Sequence, residues 1–146
     1  MYEEAKSFTI EAKTENLDKA LSFLSDCLAE AVPEIGDRAR MQITLAAEEI
    51  FVNISNYAYP KGEGRVELIF KKQEVSQNSK AEISLCFIDS GIPYNPISNA
   101  KPDPTELLTD ENKIGGLGIF LVKNMVDDIY YSYENGRNHL TLNKLL

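Results

Sequence analysis

Glu49 and Asn53 lie four residues apart in the segment Glu48-Glu49-Ile50-Phe51-Val52-Asn53. On a helix, that spacing stacks them on one face, one turn above the other. The pair would join a carboxylate, which can accept a proton or orient a water or hydroxyl, to a neutral amide oxygen of the kind Mg²⁺ takes as a ligand. Glu48 is turned about 100° around the helix and does not join them. By itself the pair also fits a solvated helix face. A second carboxylate, Asp89, ends the run Ile83-Ser84-Leu85-Cys86-Phe87-Ile88-Asp89-Ser90-Gly91. Strand alternation puts Ile83, Leu85, Phe87 and Asp89 on one face, so Asp89 closes a row of core side chains, where a carboxylate is costly unless satisfied. A donor such as the amino group of adenine would satisfy it, and so would a turn capped by its own Asp-Ser-Gly. The third segment is Gly115-Gly116-Leu117-Gly118, leading into Ile119-Phe120-Leu121-Val122-Lys123. Its glycines let backbone approach a ligand closely, and the start of the helix that follows favours phosphate oxygens. Lys123, inside that helix, reads as a surface charge.

The elements that must position these residues are legible from periodicity. Phe8 and Ile10 alternate with polar neighbours in a short strand over 6–12. Asn16 is placed to cap a helix whose apolar stripe is Leu17, Leu21, Leu24, Leu28 and Ala31, ended by Pro33 and Gly36. A second helix over about 37–57 carries Ile43, Ala47, Ile50 and Ile54 on one side. Strands over 65–74 and 80–88 follow, joined by a Ser-Gln-Asn-Ser turn. Pro93, Pro96, Pro102, Pro104 and Gly115-Gly116 break regular structure from 90 to 116, and a stretch of that kind inside a compact domain is usually a lid or binding loop. A third helix is expected over 117–127, then a hairpin of strands 129–133 and 138–144 around Asn135-Gly136, a dipeptide that accepts positive φ. The order β-α-α-β-β-lid-α-β-β predicts a two-layer α/β sandwich. Its sheet would be mixed and mostly antiparallel, with three helices on one face.

The chain has 146 residues, 43% of them hydrophobic, enough for one domain with an ordinary core. Its net charge of −8 argues against nucleic acid and against anionic membranes as partners. No apolar run approaches the roughly 20 residues of a membrane span. The start Met1-Tyr2-Glu3-Glu4 is acidic where a signal peptide is basic. With only Cys27 and Cys86, no disulfide scaffold is expected, and the expectation is a soluble cytoplasmic protein with reduced thiols. The acidity is concentrated in residues 1–35, with 3 Lys against 8 Asp and Glu. Residues 115–146 balance at 3 and 3, so the glycine-rich segment sits in neutral sequence. The acidic N-terminal region reads either as a solvated helix face or as a surface for a basic protein.

The three segments occur in this order within one small domain. In that combination the chain resembles the GHKL ATPases (the gyrase, chaperone, histidine-kinase and mismatch-repair group), from about residue 6 to 144. Within them it looks most like the stand-alone anti-sigma-factor serine/threonine protein kinases of bacteria. The resemblance implies a single Bergerat-type ATP-binding domain over 1–146 with a lid at about 92–116, ordered by nucleotide. It implies Glu49 as the general base for a serine hydroxyl of a protein substrate and Asn53 as the Mg²⁺ ligand. Asp89 would read adenine, with Gly91 letting the base approach. Gly115, Gly116, Leu117 and Gly118 would form the second glycine box, against phosphates. The implied cofactors are ATP and Mg²⁺. The implied partners are a sigma factor, which is sequestered, and an anti-anti-sigma protein, whose serine is phosphorylated; members of this type often form homodimers. A catalytically silent nucleotide-sensing module in such a partner-switching pathway is the alternative.

The chain departs from the family pattern in two places. Pro93 stands where the first glycine box commonly ends in Gly, and reads as a stiffer exit into the lid. Tyr57 stands four residues after Asn53, where close relatives often carry His. His139, the single histidine, falls in the last strand and reads as structural.

Overall fold

A computed structural model of the chain describes residues 5–75, 80–97 and 114–146. The elements run β1 (Lys6–Glu11), a 3-10 turn (Thr14–Asn16), α1 (Leu17–Ala31), α2 (Asp37–Tyr57), β2 (Arg65–Val75), β3 (Lys80–Asp89), α3 (Ile114–Met125), β4 (Asp128–Glu134) and β5 (Arg137–Leu145). The strands form one five-stranded sheet in the order β1-β2-β3-β5-β4. All of its ladders are antiparallel, so the expectation of a mixed sheet gives way to a purely antiparallel one. Short connections join β2 to β3 and β4 to β5, and such hairpins impose antiparallel pairing.

Strand alternation decides which face the helices cover. Val66, Leu68 and Phe70 of β2, Ile83, Leu85 and Phe87 of β3, and Leu140 and Leu142 of β5 are all buried. Against them lie Leu24 and Leu28 of α1, Ile43, Ala47, Ile50 and Phe51 of α2, and Ile119 and Val122 of α3, in one continuous core. Phe8 of β1 and Phe23 of α1 stack with ring centres 5.3 Å apart. The result is the two-layer α/β sandwich, with three helices among the described residues. Lys144 Nζ donates to Gln42 Oε1 at 2.8 Å and to the Met125 carbonyl at 2.7 Å, tying β5 to α2 and to the end of α3. Lys72 Nζ donates to the Ala31 carbonyl at 3.0 Å, placing a cation at the C-terminus of α1 where its carbonyls converge.

Three local expectations change. Asn16 makes no side-chain cap on α1; its Nδ2 donates back to the Glu11 carbonyl at 3.0 Å, because the 3-10 turn carries the chain into the helix. The third helix begins at Ile114, three residues earlier than expected, so Gly115 and Gly116 lie in its first turn. The first turn makes few intrahelical bonds, and two glycines there cost less than they would in a helix interior. Of the lid expected at about 92–116, residues 98–113 lie outside the described residues. The β4–β5 hairpin turns as anticipated, with positive φ at Asn135 (54°) and Gly136 (76°).

The core ledger yields a contrast. Phe87→Ala removes a side chain that is 1% exposed, and should lower unfolding free energy by about 3–5 kcal/mol. Tyr130→Ala, at 54% exposure on the edge strand β4, should cost no more than about 0.5 kcal/mol. Urea titrations of both variants measure the difference.

Candidate functional site

Helix α2 carries one row of candidate side chains, Glu49, Asn53 and Tyr57, past two other elements. Glu49 and Asn53 are both half-buried and follow one another by a single turn, as their spacing requires. Tyr57 continues the row for another turn at 58% exposure. With a helical rise of 1.5 Å per residue, Glu49 and Ala58 lie about 13 Å apart along the axis.

At the Glu49 end the neighbour is α3. A Cβ added to Gly118 would overlap the Glu49 carboxylate, meeting both Oε2 and Cδ. With any other residue at 118 the Glu49 carboxylate would have to swing away from α3. Glu49 therefore rests against the start of α3. The Lys144 bridge joins Gln42, earlier on α2, to Met125 at the far end of α3, so the two helices pack antiparallel. Burial pushes the Glu49 carboxyl above the usual carboxylate range, and the neighbouring charge of Glu48 adds to the rise. Gly115, Gly116 and Leu117 occupy the first turn of α3, whose amide N–H groups have no acceptor within the helix.

At the other end of α2 the neighbour is the C-terminus of β3. Asp89 is 5% exposed and ends the buried row Ile83, Leu85, Phe87. Its Oδ1 accepts the Gly91 N–H at 2.8 Å and Asn138 Nδ2 at 3.0 Å. Of the two sequence-based accounts of its satisfaction, the Asp-Ser-Gly turn is the one the structure displays. The turn does cap the carboxylate, yet among the described residues nothing bonds its second oxygen. Gly91 has a packing reason to be glycine. A Cβ there would overlap the Ala58 backbone at the end of α2, and the adjacent Ile92 N–H donates to the Ala58 carbonyl at 3.0 Å. Tyr59 fastens the same corner: its hydroxyl donates to the Arg65 carbonyl at 2.6 Å and accepts the Ser90 N–H at 2.8 Å. On the outer side of this corner, Ala58 to Glu63 and Ser90 to Ile92 line a cavity of about 430 Å³.

The structure thus sets Glu49, Asn53 and Gly118 together at one end of the α2 row, and Asp89 and Gly91 at the other. Two contributors escaped the sequence reading. Asn138 heads the alternating row Asn138, Leu140, Leu142 on β5 and sits opposite Asp89 in the sheet register, 6% exposed. The signal was available, since a polar residue closing a row of core residues is what singled out Asp89. Tyr57, a departure from the family pattern in the sequence, lies one turn beyond Asn53 on the same side of α2.

The donor set bears on what the site can hold. Among the described residues no three His, Cys, Asp or Glu side chains cluster closely enough to hold a metal ion. Asn53 offers one neutral oxygen, and Mg²⁺ is usually held by one or two protein ligands together with substrate phosphates, so the residues fit that ion when phosphates complete its shell. Asp89 fits a base that presents a donor, because its Oδ1 is taken by Gly91 and Asn138 while no described group bonds its other oxygen.

Comparisons with known proteins identify a family for the chain. Residues 10–144 match the family described as the histidine kinase-like ATPase domain. The chain is also similar to the serine/threonine-protein kinase BtrW of Bordetella bronchiseptica, with 30% identity over 105 residues, covering 72% of this chain and 70% of that protein.

The raised Glu49 carboxyl has a consequence for stability. A carboxyl whose folded pKa exceeds its unfolded one stabilises the fold only while protonated, and that contribution is lost as pH rises through the folded pKa. Glu49→Gln should therefore melt higher than wild type at pH 7, and its advantage should shrink as pH falls from the raised folded pKa towards the ordinary carboxylate value, and be gone below it. Thermal melts of both proteins from pH 4 to 7.5 measure it.

Proposed function

The chain belongs to the histidine kinase-like ATPase family, and from that premise we propose that it is a single-domain, Mg-ATP-dependent protein serine/threonine kinase. Its substrate would be an anti-anti-sigma protein, and it would sequester a sigma factor in the bacterial cytoplasm. The observation that carries the reading is the α2 row, which has a general-base candidate against α3 at one end and a buried acceptor for a base at the other. A nucleoside triphosphate laid along this row would place its base at Asp89 and its phosphates near Asn53 and the first turn of α3. The BtrW similarity supports the kinase class. No helix among the described residues is long and apolar enough to cross a membrane.

In this mechanism the substrate serine approaches the terminal phosphate beside Glu49. The carboxylate accepts the hydroxyl proton as the serine oxygen bonds to the γ-phosphorus, and the bond to the bridging oxygen breaks to release ADP. Burial strengthens Glu49 as a proton acceptor by raising its pKa. Asn53 would hold Mg²⁺, which spreads charge over the phosphate oxygens. The N–H groups of the first turn of α3 would face phosphate oxygens. Asp89 accepts from the base, and the exposed ring of Tyr57 gives the base an apolar surface.

Phosphotransfer from labelled Mg-ATP to the anti-anti-sigma protein encoded nearby tests the reading. Glu49→Ala should slow transfer by at least about 100-fold while retaining nucleotide binding. Asp89→Asn should weaken ATP binding itself, because it turns an acceptor towards the base into a donor. Wild-type binding of ATP without any transfer would mark the chain as a nucleotide-sensing module.

A further inference from the structure

We propose that Asn138 sets the base selectivity of the nucleotide site by positioning Asp89, without itself touching the base. The proposal rests on the reading of Asp89 as the residue that meets the base. Asp89 and Asn138 are the two buried polar residues among those described, at 5% and 6% exposure, and they are register partners on β3 and β5.

Asn138 has no spare hydrogen-bonding capacity. A carboxamide has two donor protons and two acceptor lone pairs. Both protons are used, towards Asp89 Oδ1 at 3.0 Å and the Ile92 carbonyl at 2.9 Å. Both lone pairs are used as well, by the Tyr94 N–H at 3.1 Å and by the Tyr131 hydroxyl. The orientation of the amide follows from its partners. Turned over, its oxygen would face a carboxylate and a carbonyl, and its NH₂ would face an N–H donor. A base could bond Asn138 only by displacing one of these four partners, each of which would be costly to leave unpaired at a buried site.

The consequence falls on Asp89. Its Oδ1 is held from two sides, by Gly91 and Asn138, which fixes the plane of the carboxylate and leaves Oδ2 as the oxygen available to a ligand. A carboxylate fixed in this way offers only acceptors. It favours a base edge with an amino group and opposes one with a carbonyl. Without Asn138 the carboxylate gains rotational freedom and access to water, and the penalty for a mismatched base falls. Two of these four bonds join β5 to residues Ile92 and Tyr94 on the far side of the Asp89 turn, so the clasp also holds that turn in place.

A double-mutant cycle on the full chain tests this, with the affinities of Mg-ATP and Mg-GTP measured by titration calorimetry for wild type, Asn138→Ala, Asp89→Ala and the double variant. Asn138→Ala should weaken ATP roughly 10- to 100-fold, the range expected for hydrogen bonds to a charged group, and change GTP less than about 3-fold. In the Asp89→Ala background the same substitution should change ATP less than about 3-fold, because the effect passes through Asp89. Tyr131→Phe removes one support and keeps the ring, and should weaken ATP by roughly 2- to 5-fold with GTP unchanged; it carries the test if Asn138→Ala fails to fold. A full loss persisting in the Asp89→Ala background would mean that Asn138 touches the base, and equal losses for ATP and GTP would mean a general structural role; either overturns the proposal. An Asp89→Ala variant that binds ATP like wild type would overturn the reading of Asp89 itself, and the proposal with it.

Discussion

A carboxylate buried at the end of a core row is the constraint around which this site is built. Asp89 follows Ile83, Leu85 and Phe87 on the face of the sheet that meets the helices. Leaving it there uncompensated would cost several kcal/mol. The fold answers with the Gly91 amide, the Asn138 carboxamide and a tight corner against the end of α2. That corner dictates a glycine at 91, a tyrosine hydroxyl bridging Ser90 and Arg65, and an asparagine at the head of β5. Charge is tolerated inside the sandwich because two donors, the Gly91 N–H and the Asn138 amide, converge on Oδ1.

Helix α2 turns this corner into a site with two ends. Its buried side, Ile43, Ala47, Ile50 and Phe51, fastens it to the sheet, so its other side presents Glu49, Asn53 and Tyr57 in a line. A helix is stiff and its rise is regular, which makes it a ruler between the Asp89 corner and the end near α3. Gly118 lets α3 close on Glu49, and the resulting burial makes that carboxyl a stronger base. Packing and titration are therefore coupled: Glu49, which meets α3, is also the carboxyl whose pKa burial raises.

Much of this was legible before any coordinates. The strand alternation through Asp89, the four-residue spacing of Glu49 and Asn53, and the Asn135-Gly136 turn follow from local periodicity and φ preferences, which act within a few residues. The errors were also local in origin. Asn16 has a capping residue's chemistry but was drawn into the 3-10 turn, and Gly115-Gly116 look like breakers but fall in a helical first turn, where the cost is small. Asn138 was overlooked although its alternation with Leu140 and Leu142 resembles that of Asp89 with its own row. Its importance depends on which strand lies beside β3, and no local pattern states that.

Residue type and spacing thus determined the elements, the buried face of each, and the identities of the groups able to do chemistry, because those properties arise from the chain's own 2.0 and 3.6 periodicities. Only the tertiary structure decided that β5 and not β4 lies beside β3, that Asn138 therefore faces Asp89, and that Gly118 meets Glu49. Those pairings join residues 49 positions apart in one case and 69 in the other. They are set by how hydrophobic faces pack across the whole domain, and no stretch of sequence short enough to read by pattern contains both partners.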